Sequence, residues 1–262
     1  MGGIISSSGK RPEAILWDLD GTLIDTSRSS IAALNSAIMK LTKNKMTFDH
    51  QTLLPIVTKS NKATKQSTDM NNANNPQDKL EWATKIISEL QLTTVTPKLL
   101  VSEWDSAMLR NRASIPLMPF ALETVRHFHR HKIPQAICTM SNAKSYAMKK
   151  SKHKELFDMI DLAVCSDDPH VKHRKPSPDV FLVGADRMSA TPINCVVIED
   201  SPEGCRAGWA AGCRVICVAD VWSKSNNVGK GVQAELFCKS LSDINMSKLA
   251  LPPLPLHLNS KS

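Results

Sequence analysis

The chain has 262 residues, of which 42% are hydrophobic, enough to bury a core of ordinary size, and it carries a formal net charge of +8. Its lysines and arginines are scattered and have few aromatic partners, since Phe, Trp and Tyr make up 5% of the chain, which argues against a nucleic-acid surface and for solvated faces that attract small anions. No apolar run approaches the ~18 residues of a membrane span, and the opening residues lack a secretory signal pattern, so a soluble, cytoplasmic protein is expected.

Residues 1–12 are Gly- and Ser-rich and are expected to form a disordered leader. Their start, Met-Gly-Gly-Ile-Ile-Ser, fits the loose pattern for acylation of Gly2, backed only by Lys10 and Arg11; one acyl chain holds a membrane marginally, so membrane attachment is not expected. An apolar run at 14–19 reads as the first strand. Helical spacing follows at 29–41, where Ile31, Leu34, Ile38 and Leu41 share a face, and again at 80–90 and 97–110. Between these, residues 59–78 are rich in Asn, Lys, Ser and Thr with almost nothing to bury, and a mobile loop is expected. Short apolar runs at 133–139, 160–165, 195–199 and 214–219 then alternate with helical stretches near 143–152, 178–188 and 202–211, the pattern of a doubly wound parallel sheet. More than a hundred residues separate the first strand from the second, although a crossover needs only about a dozen. The expected organisation is therefore an α/β core of residues 13–26 and 115–250, an inserted helical domain over 27–114, and a flexible tail at 251–262. Of seven cysteines, Cys138, Cys165, Cys195 and Cys217 lie inside the strand-like runs, and with no C-x-x-C pair they read as reduced core residues.

The strongest chemical signal is Asp18-Leu19-Asp20-Gly21-Thr22-Leu23-Ile24-Asp25, placed where an apolar strand ends. Ligand sites of parallel α/β sheets lie at the carboxyl ends of strands. Two carboxylates two residues apart, followed by a glycine and a threonine, can hold a divalent cation and face a phosphoryl group. Three further segments add polar groups: "AICTMSN" with Thr139 and "CVVIEDSPEGCRAG" with Glu199 and Asp200 at the ends of later strand-like runs, and "HRKPSPDVF" with Lys175 ahead of a helical stretch. In their order and spacing these four motifs resemble those of the haloacid dehalogenase superfamily.

The resemblance implies a Rossmann-like core with strand order 5-4-1-2-3, a helical cap inserted after the first strand, and a Mg²⁺-dependent phosphatase. In such an enzyme Asp18 would be the nucleophile that becomes an aspartyl phosphate, and Asp20 would act as acid and then as base. Mg²⁺ would take the side chains of Asp18 and Asp200 and the main-chain carbonyl of Asp20, with Glu199 as a direct or water-mediated helper. Lys175 and the Thr139 hydroxyl would hold phosphoryl oxygens, together with groups from Gly21, Thr22, Ser141 and Asn142. An acid at Asp20 suits ester phosphate, since the superfamily's dehalogenases lack one there and its ATPases carry threonine. Asp168 either supports the metal from behind or caps a turn.

Within the superfamily the likeness is greatest to the pseudouridine-5′-phosphatases and the plant-type glycerol phosphate phosphatases, carried by "LMPFALETVRHFHRHKIPQAICTMSN", "KSKHKELFDMIDLAVCSDDPHVKHRKPSPDVFL" and "VVIEDSPEGCRAGWAAGCRVICV". It implies a small phosphorylated metabolite as the partner, such as pseudouridine 5′-phosphate, and a monomer. A phosphomutase on the same residues, or a weakly catalytic binding relative, are the alternatives. Three departures stand out: Phe120 where the family has glycine, Met140 where it has serine, and the polar segment in the insert, which leaves Lys59 or Lys62 as the candidate substrate contacts. His127, His129 and His131 offer two imidazoles on one helix face, but no third ligand accompanies them, and they are expected to be structural.

Overall fold

The apolar runs become strands β1 (Ala14–Trp17), β2 (Gln135–Cys138), β3 (Leu162–Val164), β4 (Cys195–Glu199) and β5 (Arg214–Val218) in a computed structural model that describes residues 9–63, 76–111, 115–218 and 232–255. A sixth strand, β6 (Leu236–Cys238), which the sequence does not signal, extends the edge beyond β5. All pairings are parallel, and the order β3-β2-β1-β4-β5-β6 contains the expected 5-4-1-2-3 arrangement. The strands are short and apolar because both faces are covered. Along β1, Ala14 and Leu16 point into a core with Val180, Phe181, Ala185, Cys205 and Ala207, whereas the ring of Trp17 meets Phe128 at 5.8 Å on the other face. The helices that supply these contacts are α5 (Ala121–Arg130), α8 (Asp179–Arg187) and α9 (Pro202–Ala210); α6 (Ala143–Lys150) and α7 (Lys154–Phe157) lie between β2 and β3 in the chain. All seven cysteines are free and buried.

The chain divides between Ile24 and Asp25 and again between Pro116 and Leu117. The second unit is helical, with α1 (Thr26–Leu41), α2 (His50–Ala63), α3 (Pro76–Glu89) and α4 (Pro97–Asn111). Its core holds Leu34, Ile38, Leu53, Val57, Trp82, Ile86, Leu100 and Trp104, and Trp82 and Trp104 pack with ring centroids 5.6 Å apart. Helix α2 was not legible because Pro55 interrupts it. Its Leu53 and Val57 are nevertheless buried, and this tertiary packing outweighs the lost backbone bond.

Three expectations about order need correction. The segment 59–78 is not a loop at its ends: α2 runs through Ala63 and α3 starts at Pro76, because extending a packed helix by a residue costs far less than nucleating one. Residues 64–75 lie outside the described residues, as does the side chain of Lys59. The leader is tied down by residue 9, where the Gly9 N–H donates to the Lys248 carbonyl at 3.0 Å and Arg214 donates to the Lys10 carbonyl at 2.9 Å; Gly2 lies outside the described residues. In the tail, Leu251 and Leu254 are buried, since both can bury apolar surface that water would otherwise face. No helix among the described residues is long and apolar enough to cross a membrane.

Candidate functional site

Parallel pairing brings the carboxyl ends of β1, β2 and β4 to one sheet edge, and the polar motifs follow those ends directly. The turn after β1 is stitched by backbone bonds: Leu23 and Ile24 N–H both donate to the Leu19 carbonyl at 3.0 Å, and Gly21 N–H donates to the Ile24 carbonyl at 2.9 Å. Gly21 has φ +93°, and a Cβ there would come within 2.2 Å of Asp200 Oδ2, so both the turn and the neighbouring carboxylate require glycine.

Asp18, at the start of this turn, is buried beside Lys175, which arrives from the loop between β3 and α8. Lys175 Nζ donates to Asp18 Oδ1 at 2.7 Å, to Glu199 Oε1 at 2.7 Å and to the Cys138 carbonyl at 3.0 Å. Its Nζ also lies 4.7 Å from the centroid of the Phe181 ring. Glu199 is held on its other oxygen by the Ser201 N–H (2.8 Å) and hydroxyl (2.9 Å), and Ser201 in turn caps α9 through Gly204 N–H. The loop that presents Lys175 is itself gathered by Asp179, whose carboxylate accepts from the N–H groups of Lys172 and His173 and from Ser177 Oγ.

Asp18, Glu199 and Asp200 each offer an oxygen, and these atoms lie within 4.8 Å of one another. Burial pushes Asp18 up to about 8, with the Lys175 ammonium pulling down and the carboxylates of Glu199 and Asp20 pushing further up. Burial also works against the charge on Lys175, but Asp18 and Glu199 outweigh it and hold its pKa above the ordinary lysine range. The two shifts conflict, because a lysine held charged by Asp18 needs Asp18 ionised. The direct contacts to both carboxylates make the charged Lys175, with Asp18 ionised beside it, the governing state. Three carboxylates against the Lys175 ammonium, all offering hard oxygen donors, fit a divalent cation. This is the group among the described residues with the makings of a metal site, whereas the rings of His127 and His131 pack edge to face 4.6 Å apart.

The remaining expected residues take distinct places. Thr22 Oγ1 donates to Asp200 Oδ1 at 3.4 Å. Thr139, fully buried just past β2, accepts from the Ser141 N–H at 3.1 Å. Ser141 turns its hydroxyl to Asp20 Oδ2 at 2.7 Å. Asn142 accepts from the Ser145 N–H and caps α6, so its side chain is engaged in starting that helix. Asp168 is gripped by Arg187 at 2.6 and 3.0 Å and accepts from the His170 N–H, which is the turn-capping alternative. Lys59 belongs to the helical unit, and its side chain lies outside the described residues.

One participant is absent from the sequence reading. Lys149 Nζ contacts Asp20 Oδ1 directly and Ser141 Oγ at 2.8 Å. It sits among Lys144, Lys150, Lys152 and Lys154, so composition does not mark it. Its spacing offers a faint signal: two helical turns after the capping Asn142, it falls on the helix face that begins beside Ser141.

A family model described as haloacid dehalogenase-like hydrolase matches residues 15–218. A Drosophila melanogaster protein named "probable pseudouridine-5′-phosphatase" is 37% identical over 139 residues, 52% of this chain and 59% of that protein. An Arabidopsis thaliana protein named (DL)-glycerol-3-phosphatase 2 is 35% identical over 140 residues, 52% of this chain and 57% of that one. The chain thus spans a little over half the length of these curated relatives. Among solved structures, a HAD family hydrolase from Deinococcus radiodurans with bound phosphate and sodium superposes with a TM-score of 0.68 at 21% identity, covering 92% of this chain and 98% of that one. The HAD-hydrolase YfnB from Bacillus subtilis, bound to magnesium, gives 0.69 at 14% identity, over 92% and 100%. With the motif-bearing strand ends, the acidic cluster and the matched core in agreement, this chain belongs to the haloacid dehalogenase-like hydrolases.

Proposed function

We propose that the chain is a Mg²⁺-dependent phosphomonoesterase that works through an aspartyl phosphate on Asp18 and takes a small metabolite phosphate, pseudouridine 5′-phosphate in the first instance. The observation that carries this reading is the cluster of Asp18, Lys175, Glu199 and the half-buried Asp200, in which a carboxylate is held by a cation and flanked by further oxygen donors. The Asp18 carboxylate attacks phosphorus, the ester oxygen departs, and Asp20 gives that oxygen its proton. Asp20 then takes a proton from water, whose oxygen bonds to phosphorus as the Asp18 oxygen–phosphorus bond breaks, and phosphate is released. Lys175 fixes the orientation of Asp18 and supplies positive charge beside the phosphoryl oxygens, and the Thr139 hydroxyl, whose oxygen accepts from the Ser141 N–H and whose proton is left to give, donates to them. Asp18, Asp200 and the Asp20 main-chain carbonyl, aided by Glu199, would hold Mg²⁺, which supplies neutralising charge to the phosphoryl group.

The substrate class follows the names of the fly relative and of a yeast relative called "probable pseudouridine-5′-phosphatase", 27% identical over 79% of this chain. Glycerol phosphate or another polyol phosphate is the second reading, favoured by the Arabidopsis relative of nearly equal likeness. We take the protein to act as a cytoplasmic monomer. The test is phosphate release from a panel containing pseudouridine 5′-phosphate, glycerol 3-phosphate and p-nitrophenyl phosphate, with and without Mg²⁺ and with no bisphosphate added. Wild type should release phosphate only with the metal, and Asp18→Asn should release none while melting normally. Release from no member of the panel would favour a binding protein, and a bisphosphate requirement with phosphate retained would favour a mutase.

A further inference from the structure

Helix α6 has no fully buried residue, yet Lys149 on its last turn keeps a side chain only 10% exposed, while its neighbour Lys150 is solvated. Withdrawing an ammonium from water and freezing a four-carbon stem both cost free energy, and a buried ion pair is a poor way to stabilise a fold. Its partner Asp20 is still more enclosed, at 4%. Each Asp20 oxygen has its own donor, Lys149 on Oδ1 and Ser141 on Oδ2, and these donors touch each other at 2.8 Å. Such a closed ring of contacts fixes the plane of the carboxylate and hence the direction of the lone pairs left over. An acid–base group that must face a leaving oxygen and then a water needs this kind of aim, since a displacement of about 1 Å can cost about a hundredfold in rate.

We propose that Lys149 is a positioning residue that, with Ser141, aims the Asp20 carboxylate for proton transfer in both half-reactions. The proposal rests on the reading of Asp20 as acid and base. Lys149 acts through Asp20 rather than on the substrate, so its loss should matter only where Asp20 is at work.

p-Nitrophenyl phosphate separates the two half-reactions, because p-nitrophenolate departs without needing a proton. With that ester and saturating Mg²⁺, Asp20 is required only when water attacks the phosphoenzyme. Stopped-flow measurement on Lys149→Met should therefore show a first-turnover burst of p-nitrophenolate within about twofold of wild type. The steady-state rate should fall about 10- to 100-fold, less than the ~100- to 10,000-fold that a general acid–base group itself contributes, because Asp20 is misaimed rather than removed. KM should not rise, and intact-mass measurement should reveal accumulated phosphoenzyme. In the Asp20→Asn background Lys149→Met should change nothing, since the two act as a unit, and Lys149→Arg should recover most of the rate. A burst that slows with the steady state, a double variant that falls by the product of the two singles, or an unchanged steady state would each overturn the proposal. Should Lys149→Met fail to fold, the same cycle with Lys149→Gln decides it. A wild type that turns over normally with unaffected Lys149 variants sinks this inference alone, whereas an inactive wild type or an active Asp18→Asn sinks the reading beneath it.

Discussion

Gly204 is the third residue of α9, and by helix propensity alone its replacement by alanine should stabilise the protein by up to about 1 kcal/mol. The tertiary structure reverses that sign. A Cβ on Gly204 would stand 1.6 Å from Glu199 Oε1 and 1.9 Å from its carboxyl carbon, so the carboxylate has to leave. That carboxylate is 1% exposed and holds bonds from Lys175 at 2.7 Å and from Ser201 at 2.8 and 2.9 Å. Hydrogen bonds to charged groups contribute about 1.5–3 kcal/mol each. With partial re-pairing of Glu199 and the propensity gain subtracted, Gly204→Ala should cost about 3 kcal/mol, a melting temperature lower by roughly 6–12 °C. Gly208→Ala, whose Cβ would meet Val197 Cγ1 at 2.9 Å, serves as the control within the same helix and should cost less, because only van der Waals contacts must shift. Thermal and denaturant unfolding of the pair is the assay. A Gly204→Ala protein as stable as wild type, or more stable, would refute the placement of Glu199 under α9 and with it the account of how Lys175 is held.

Lys175→Met should leave the buried carboxylates of Asp18 and Glu199 without their shared cation, lowering stability by about 3–5 kcal/mol in metal-free buffer and abolishing phosphate release. Added Mg²⁺ should return part of that stability, as read by differential scanning fluorimetry. Phe120 adopts φ 64°, left-handed backbone that a bulky residue enters at a cost, and its ring is exposed, so Phe120→Gly should stabilise by about 0.5–1 kcal/mol in denaturant titration, with activity unchanged. Asp179 is held by its donors at about 2, against an ordinary 3.8. A carboxyl depressed in the folded state adds stability above its unfolded pKa and loses it as pH falls through the folded one. The stability gap between wild type and Asp179→Asn should therefore be full above about pH 4 and close toward pH 2, as followed by unfolding across that range.

The core was legible because its signals are local. A strand buried on both faces must be a short apolar run wherever it occurs, and Ala14–Trp17 or Cys195–Glu199 announces itself in a handful of residues. The same holds for the acidic motif: Asp18 and Asp20 are recognisable because a strand end and a turn glycine adjoin them. The sequence by itself thus determined the alternating sheet, the existence of a helical insert, and the placing of two carboxylates and a turn glycine at a strand end. The tertiary structure decided what those residues touch. Pro55 argues against a helix within any local window, and only the burial of Leu53 and Val57 among other helices makes α2. Lys149 is one lysine of many until the fold sets it against Asp20, 129 positions away, and Gly204 looks like a poor helix residue until Glu199 occupies the space its side chain would need. Composition and periodicity are properties of a segment, whereas the partner of a buried charge is chosen by which distant segments share a sheet edge, and no window of sequence contains both.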